Sequence, residues 1–509
     1  MKLTRHLAGY LPVNLASAIA AFGGVFVFTR LLSPDEYGRY ALCLSLMALL
    51  HTLTLTWVEA AGFRFHARAA AQGRLPDHFR TGIALIWRSL LLAILVWAVV
   101  YLFLRGVPGY ARILPWIAVL MPLATILKFA LEAHRAGQDV GRFARVQTAQ
   151  ILLGFTLGAL LAWQTGLGAA APFAGLAVAA GLLAVRESAF VFHSARGGKV
   201  DGEFKRQWAG YGWPIAAALA LDLLLSAADR FLIAAFLGEG AVGAYAAGYG
   251  VADKTVLLIC AWAEGAVGAY AAGYGVADKT VLLICAWAAM AGAPLIMAAY
   301  ETRGPDGAAR EARGLIRTLL LFGMPAASGL ALVADPLSRA MIGEDLREAA
   351  RPIIPWIAFA GLLNGLLIHY ASEAFQLARR TGLRAALMTV PAGLNIVLNL
   401  LLLPALGVMG AVYATVLSYA AGVGLLALVG RSLVALPWPA RDAMKTALAC
   451  LAMWPVIALI PSMPAWPELF AKALAGGASF AIAAFALDAG GARGFLNSLS
   501  GRSASHRDA

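Results

Sequence analysis

Hydrophobic residues in this chain gather into runs of about 20, separated by short polar stretches, along nearly its whole length. A helix rising about 1.5 Å per residue needs that length to cross a hydrocarbon core. Lipid offers no partner to backbone N–H and C=O groups, so each run predicts a spanning α-helix. The runs lie at 9–30, 39–62, 82–104, 113–132, 146–165, 169–190, 210–236, 242–300, 315–341, 353–374, 385–403, 407–430, 442–461 and 468–488. The fold class they predict is all-α, a polytopic membrane protein of about fourteen transmembrane helices. No loop between them is long enough to fold as a separate domain. Function must therefore be carried out inside the membrane or at its two faces.

Charge adds the orientation. Only 13% of the residues are charged against 61% hydrophobic, where a soluble domain carries roughly a quarter charged. The net charge of +13 sits on alternate sides of successive runs. Arg64, Arg68, Arg74 and Arg80 begin one series, which continues through Arg135, Arg142, Arg145, Arg196, Lys199 and Lys205 and reappears at 303–317, 379–384, 431–445 and in the tail. The opposite loops 166–169, 404–408 and 461–466 hold no Lys or Arg. This positive-inside bias predicts both termini in the cytoplasm and argues against nucleic-acid binding. Lys2 and Arg5 imitate the charged start of a signal peptide, but the long first run and the spans after it predict an uncleaved helix. Cys43, Cys260, Cys285 and Cys450 lie in apolar runs without CxxC spacing and read as packing residues.

The overlong eighth run has a cause. Residues 239–263 (EGAVGAYAAGYGVADKTVLLICAWA) recur unchanged as 264–288. An undrifted copy is a recent in-frame tandem duplication or an assembly error, and not a solenoid array. The flanking stretches 196–206 and 303–317 are both basic, so an odd number of crossings must lie between them. One crossing plus one extruded copy satisfies this without placing Asp253-Lys254 and Asp278-Lys279 together in lipid.

A second, fainter repeat bears on architecture. Leu32, Gly38, Tyr40 and Ala41 after the first run share their spacing with Leu237, Gly243, Tyr245 and Ala246 after the seventh. Two bundles related by an axis along the membrane normal would produce it. The expected plan is a six-helix bundle at 1–209, a second at 210–435 containing the duplication, two further helices at 436–488, and a cytoplasmic tail at 489–509.

The stretches RLLSPDEYGRYAL at 30–42, SAADRFLIAAFLG at 226–238 leading into GAYAAGY at 243–249, and LNIVLNLLLLPALGVMGAVYAT at 394–415 resemble the polysaccharide (O-antigen type) flippases of the multidrug/oligosaccharidyl-lipid/polysaccharide exporter superfamily. In the last stretch Asn395, Asn399, Pro404, Gly407 and Gly410 stand in the family's places. The resemblance implies a bacterial inner-membrane transporter moving an undecaprenyl-diphosphate-linked oligosaccharide to the outer leaflet, for lipopolysaccharide O-antigen or similar polymers. A polysaccharide polymerase and chain-length proteins are partners it implies. The duplication departs from the pattern, because the family lines its cavity with the eighth helix. Removing one copy leaves a more usual length.

Such a transporter needs a water-filled cavity with cations for the diphosphate, amides or aromatics for sugars, and a carboxylate to couple H+ or Na+. Asp222 and Asp229, two turns apart, share a helix face and would lie opposite Asp253 and Lys254 across the hairpin. Lys254 is the first choice for the diphosphate and Lys279 its duplicate, with Asp222, Asp229, Asp253 and Asp278 as coupling carboxylates. A structural Asp–Lys pair between helices is the plainer reading. Arg230 and Arg30, near the outer face, are candidates for substrate contact or gating, against local pairing and snorkelling. Arg64, Arg88 and Glu59, with Lys128, Glu132 and Arg135, would form a cationic vestibule or simply interfacial ion pairs. His369 and Glu373 make an i, i+4 pair, read as structural ahead of a proton relay. Asn395 and Asn399 would meet sugar hydroxyls or bond between helices. Tyr37, Tyr40 and Tyr245 read as interfacial belt aromatics.

No P-loop, HExxH or GxSxG occurs, so neither an enzyme nor a cofactor is expected. The alternatives are a multidrug or organic-cation antiporter, whose cavity would favour carboxylates, and a membrane polysaccharide polymerase, which would need a long outer loop rich in Arg and Asp.

Overall fold

The computed structural model describes residues 11–137, 139–252, 292–378 and 380–493. Every described element is helical. In the first part of the chain these are α1 (Leu11–Leu31), α2 (Pro34–Thr54), α3 (Thr56–Ala71), α4 (Leu75–Leu104), α5 (Leu114–Ala136), α6 (Val140–Gln164), α7 (Ala171–Ser194) and α8 (Gly202–Leu237). A helix over 239–252 follows. After the undescribed stretch come α10 (Gly292–Leu332), α11 (Ala334–Met341), α12 (Glu344–Ala350), α13 (Ile353–Leu366), α14 (Glu373–Leu377), α15 (Thr381–Leu406), α16 (Val408–Leu433), α17 (Ala440–Leu451), α18 (Met453–Ala458) and α19 (Ala465–Leu487), the 239–252 helix standing as α9. Among the described residues ten helices are long and apolar enough to cross a membrane, and eleven when the bent pair Pro34–Thr54 and Thr56–Ala71 counts as one. The expected fourteen are not all met. The apolar part of α1 is short, α17 and α18 are separated by a break, and the middle of the eighth run lies outside the described residues.

Local chemistry sets the ends. Ser33 caps α2 through a capping box with Glu36, its amide donating to the Glu36 carboxylate at 3.1 Å, and Pro34 starts the first turn. Asp139 caps α6 by accepting from the Arg142 amide at 3.1 Å. Asp201 caps α8 by accepting from Glu203 and Phe204 amides at 2.7 and 2.9 Å. Gly238, at φ 86°, ends α8 in a conformation open mainly to glycine.

Three elements differ from expectation. The second span is bent by 52° between α2 and α3, at Leu55. The basic stretch around 305–317, expected as a loop, is helical after a break at Gly304 (φ 66°); its Ala, Arg, Glu and Leu are strong helix formers. The ninth span divides at Val333, between α10 and α11.

The chain forms two compact units, one of residues 1–246 with 396–408 and one of 247–395 with 409–509. In the first, an apolar core around Ile113, Leu114, Ile117 and Phe173 joins α4 to α7, and a second holds Phe79, Phe129 and Trp208 together. The α6–α7 pair is so close that a Cβ on Gly175 would lie 2.2 Å from the Gly158 amide, the small-residue packing of membrane helices. In the second unit, Arg317 pairs with Asp442 at 2.9 Å and Arg339 with buried Glu468 at 2.8 Å, tying α10 to α17 and α11 to α19. Cys43 and Cys450 are buried free thiols; Cys260 and Cys285 lie outside the described residues.

Candidate functional site

The repeated hairpin builds the first part of the site. Gly38 and Gly243 hold equivalent places in it, as do Pro34 and Glu239. A Cβ on Gly38 would lie 1.8 Å from the Glu239 carbonyl oxygen, and one on Gly243 would lie 2.4 Å from that of Pro34. The contact is reciprocal, and two backbones meet where no side chain fits. Beside it Arg39 forms an ion pair with the Glu239 carboxylate. Tyr110, in the α4–α5 loop, bonds to the same carboxylate; burial and that bond together push its phenol pKa up.

Asp229 lies eight residues before the end of α8, about 12 Å along the helix. It is fully buried and accepts a hydrogen bond from the Tyr245 hydroxyl, while its Oδ1 accepts from the Arg230 amide at 2.8 Å. Tyr245 is thus not a belt aromatic; it is 0% exposed, because its hydroxyl serves a buried carboxylate. Arg230 is half-buried on the same helix. Asp222 sits seven residues earlier on α8, and only its backbone is described. Asp253, Lys254, Asp278 and Lys279 lie outside the described residues.

The bend at Leu55 builds the second part. It brings His51 of α2 and Glu59 of α3 together, His51 Nε2 lying 3.0 Å from Glu59 Oε1. From α5, Lys128 Nζ reaches Glu59 Oε2 at 2.8 Å and His51 Nε2 at 3.1 Å. The Glu59 side chain is 4% exposed and that of Lys128 is 45% exposed. Lys128 therefore pairs across helices and not with Glu132 on its own helix, which lies 3.4 Å from Arg135. Trp57 braces the bend, donating to Ser89 Oγ at 3.2 Å and stacking on Trp213 at 5.2 Å.

Arg64 on α3 and Arg88 on α4 are exposed and carry no hydrogen bond or ion pair among the described residues. Arg88 lies deeper than expected, because α4 starts at Leu75. Arg30 is exposed at the end of α1, donating to the Phe26 carbonyl at 2.8 Å with its guanidinium 3.9 Å above the Phe26 ring. Buried Asn395 and Asn399 stand one turn apart on α15. A π-helical turn at Leu367–Ala371 alters the spacing between His369 and Glu373, and Glu373 accepts from Gln376 at 3.0 Å. A further buried group went unnoticed in the sequence: His134 lies 2.7 Å from Glu187, which Arg142 also meets at 3.2 Å. His51 was missed too. Its signal was a titratable residue deep in an apolar run, twelve residues from Arg39.

Residues 3–267, slightly more than half of the 509, match the model of the polysaccharide biosynthesis protein family, a match that takes in the whole first copy of the duplication. The chain belongs to this family. The polysaccharide biosynthesis fold is also that of solved transporters. It is similar to "Lipid II flippase MurJ, inward closed conformation" at a TM-score of 0.69 and 13% identity, over 95% of this chain and 98% of that one. It is similar to an inward-facing multidrug resistance MATE family transporter of the MOP superfamily at a TM-score of 0.56 and 13% identity, over 84% and 95%. The eukaryotic MATE transporter AtDTX14 gives 0.51 at 12% identity, over 87% and 97%. At such identities the likeness is one of fold. No curated protein matches the chain. This member of the polysaccharide biosynthesis family is a multi-pass membrane protein with the fold of flippases and transporters, not of enzymes.

Proposed function

We propose that this protein flips an undecaprenyl-diphosphate-linked oligosaccharide across a bacterial inner membrane by alternating access, coupled to an ion gradient, with both termini cytoplasmic. The observation that carries the reading is an imbalance of charge in the first unit. Beyond the first turns of its spanning helices, every carboxylate whose side chain is described has a partner: Glu59 with His51 and Lys128, Glu132 with Arg135, Glu187 with His134 and Arg142, Asp229 with Tyr245. Arg64 and Arg88 have none among the described residues. An exposed guanidinium on a spanning helix is costly against lipid and is at home facing water and an anion. The surplus therefore fits a diphosphate better than an organic cation. Membership of a polysaccharide biosynthesis family supports a glycan cargo, and the alternating basic loops support the orientation.

In this reading Arg64, Arg88 and Lys128 meet the diphosphate as it enters, with Lys254 or Lys279 receiving it further in. Arg30 and Arg230 serve nearer the outer face, and Asn395 and Asn399 face the sugars. Asp222, Asp229, Asp253 or Asp278 and Glu59 supply the coupling carboxylates. The decisive experiment is gene deletion in a strain with no redundant flippase, followed by quantitation of surface polysaccharide and of undecaprenyl-linked repeat units on each leaflet. Loss of surface polymer with complete units trapped on the cytoplasmic leaflet is expected. Normal translocation would overturn the reading and favour the multidrug antiporter. Complete units that reach the outer leaflet but stay unpolymerised would favour the polymerase.

A further inference from the structure

The contacts around Glu59 set a condition on how a diphosphate can engage Lys128. Glu59 is buried, its side chain 4% exposed, and its negative charge is balanced by Lys128 Nζ at 2.8 Å, with His51 Nε2 beside it at 3.0 Å. Lys128 lies eight residues from the end of α5, about 12 Å along the helix, yet its side chain is 45% exposed. An ammonium so exposed at that depth must look into water and not into lipid. Lys128 is thus the one member of the group that an incoming anion reaches.

We propose that His51, Glu59 and Lys128 form a proton-exchange site in which binding of a diphosphate headgroup is matched by uptake of one proton on Glu59. The proposal rests on the diphosphate reading above. When Lys128 turns its ammonium toward a phosphate oxygen, Glu59 is left buried without its cation, a state that costs several kcal/mol for an ionised carboxylate. A proton relieves it. His51, 21% exposed on its side chain and in contact with Glu59, takes a proton from water at Nε2 and passes it to the carboxylate Oε2, 3.2 Å away. On release of the diphosphate the proton leaves by the same route and Lys128 returns to Glu59. No covalent bond other than those to this proton changes. Lys128 is here a cargo-binding residue, and Glu59 and His51 act through it.

The surroundings make Glu59 the group that answers. From α2 it meets His51 and from α5 Lys128, with Glu132 and Arg135 next along that helix and paired to each other at 3.4 Å. From α4 the polar group at the bend is Ser89, held by Trp57; from α8 come the apolar faces of Trp208 and Trp213. Neither α4 nor α8 brings an ionisable contact to Glu59 among the described residues.

The test is calorimetric titration of the purified full-length chain with undecaprenyl diphosphate, repeated near neutral pH in buffers of different ionisation enthalpy so that protons are counted. The wild type is expected to take up about one proton per lipid bound and to bind more tightly as pH falls. Glu59→Gln should bind at least as well, with no uptake and an affinity flat in pH. Lys128→Gln should lose about tenfold or more in affinity. Binding by the wild type without proton uptake, or uptake retained in Glu59→Gln, would overturn the exchange site and leave the cargo reading intact. No binding of the lipid by the wild type would overturn the diphosphate reading and this proposal with it. The wild-type proton count decides the matter even if a variant does not fold.

Discussion

At the scale of single residues, the buried charges show which groups the fold cannot spare. Tyr245 donates to Asp229 where neither meets solvent, so Tyr245→Phe removes a charge-assisted hydrogen bond. A loss of about 1–3 kcal/mol is expected, read as a lower Tm of the detergent-solubilised protein. Asp201 gives a test in pH. The Phe204 amide, then the Arg74 side chain and the Glu203 amide, hold its carboxyl below the usual range. A carboxyl whose folded pKa lies below its unfolded one stabilises fully above the unfolded value and loses that contribution as pH falls toward the folded one. Asp201→Asn can still cap α8 but cannot pair with Arg74. The Tm gap between wild type and Asp201→Asn should be present at neutral pH and close as pH falls below about 4. A gap independent of pH would remove charge from the account of this cap.

Elements meet where the sequence makes room for them. Gly38 and Gly243 were legible as repeat positions, and the spacing alone said only that the hairpins were alike. Their reciprocal contact supplies the reason: a carbonyl oxygen stands where each missing Cβ would be. Gly38→Ala should therefore force the hairpins apart and abolish transport, whereas Gly73→Ala, with open space around it but a positive φ of 66°, should cost only about 1 kcal/mol of backbone strain. Transport unchanged in Gly38→Ala would show that the contact is dispensable. The neighbouring ion pair can be tested by charge exchange. Arg39→Glu and Glu239→Arg should each impair transport, and the double variant should recover part of it if the pair itself matters. The bend at Leu55 was not legible, since no Pro or Gly marks it. It follows from neighbours, with Trp57 held by Ser89 and Trp213, and Glu59 by His51 and Lys128.

For the whole molecule, the duplication is the largest question. The family match runs through the first copy and ends four residues into the second. Deleting either copy yields the same 484-residue chain. That form is expected to flip cargo at least as fast as the full one when each restores surface polysaccharide to the deletion strain. A slower or inactive short form would mean that the second copy has been absorbed into the mechanism.

Apolar runs of membrane-spanning length determined, without any tertiary knowledge, that this chain is a bundle of helices in a bilayer, because lipid leaves the backbone no other way to satisfy its hydrogen bonds. Basic loops in alternation carried an expectation of orientation, and SPDE at 33–36 carried the start of α2. Pairing was beyond that reach. Lys128 stands one turn from Glu132 on its own helix and instead crosses to Glu59; Tyr245 was expected at an interface and is buried on Asp229. Spacing along a helix says which residues share a face, but which neighbour that face meets depends on how helices distant in sequence pack, and only the tertiary structure decided that.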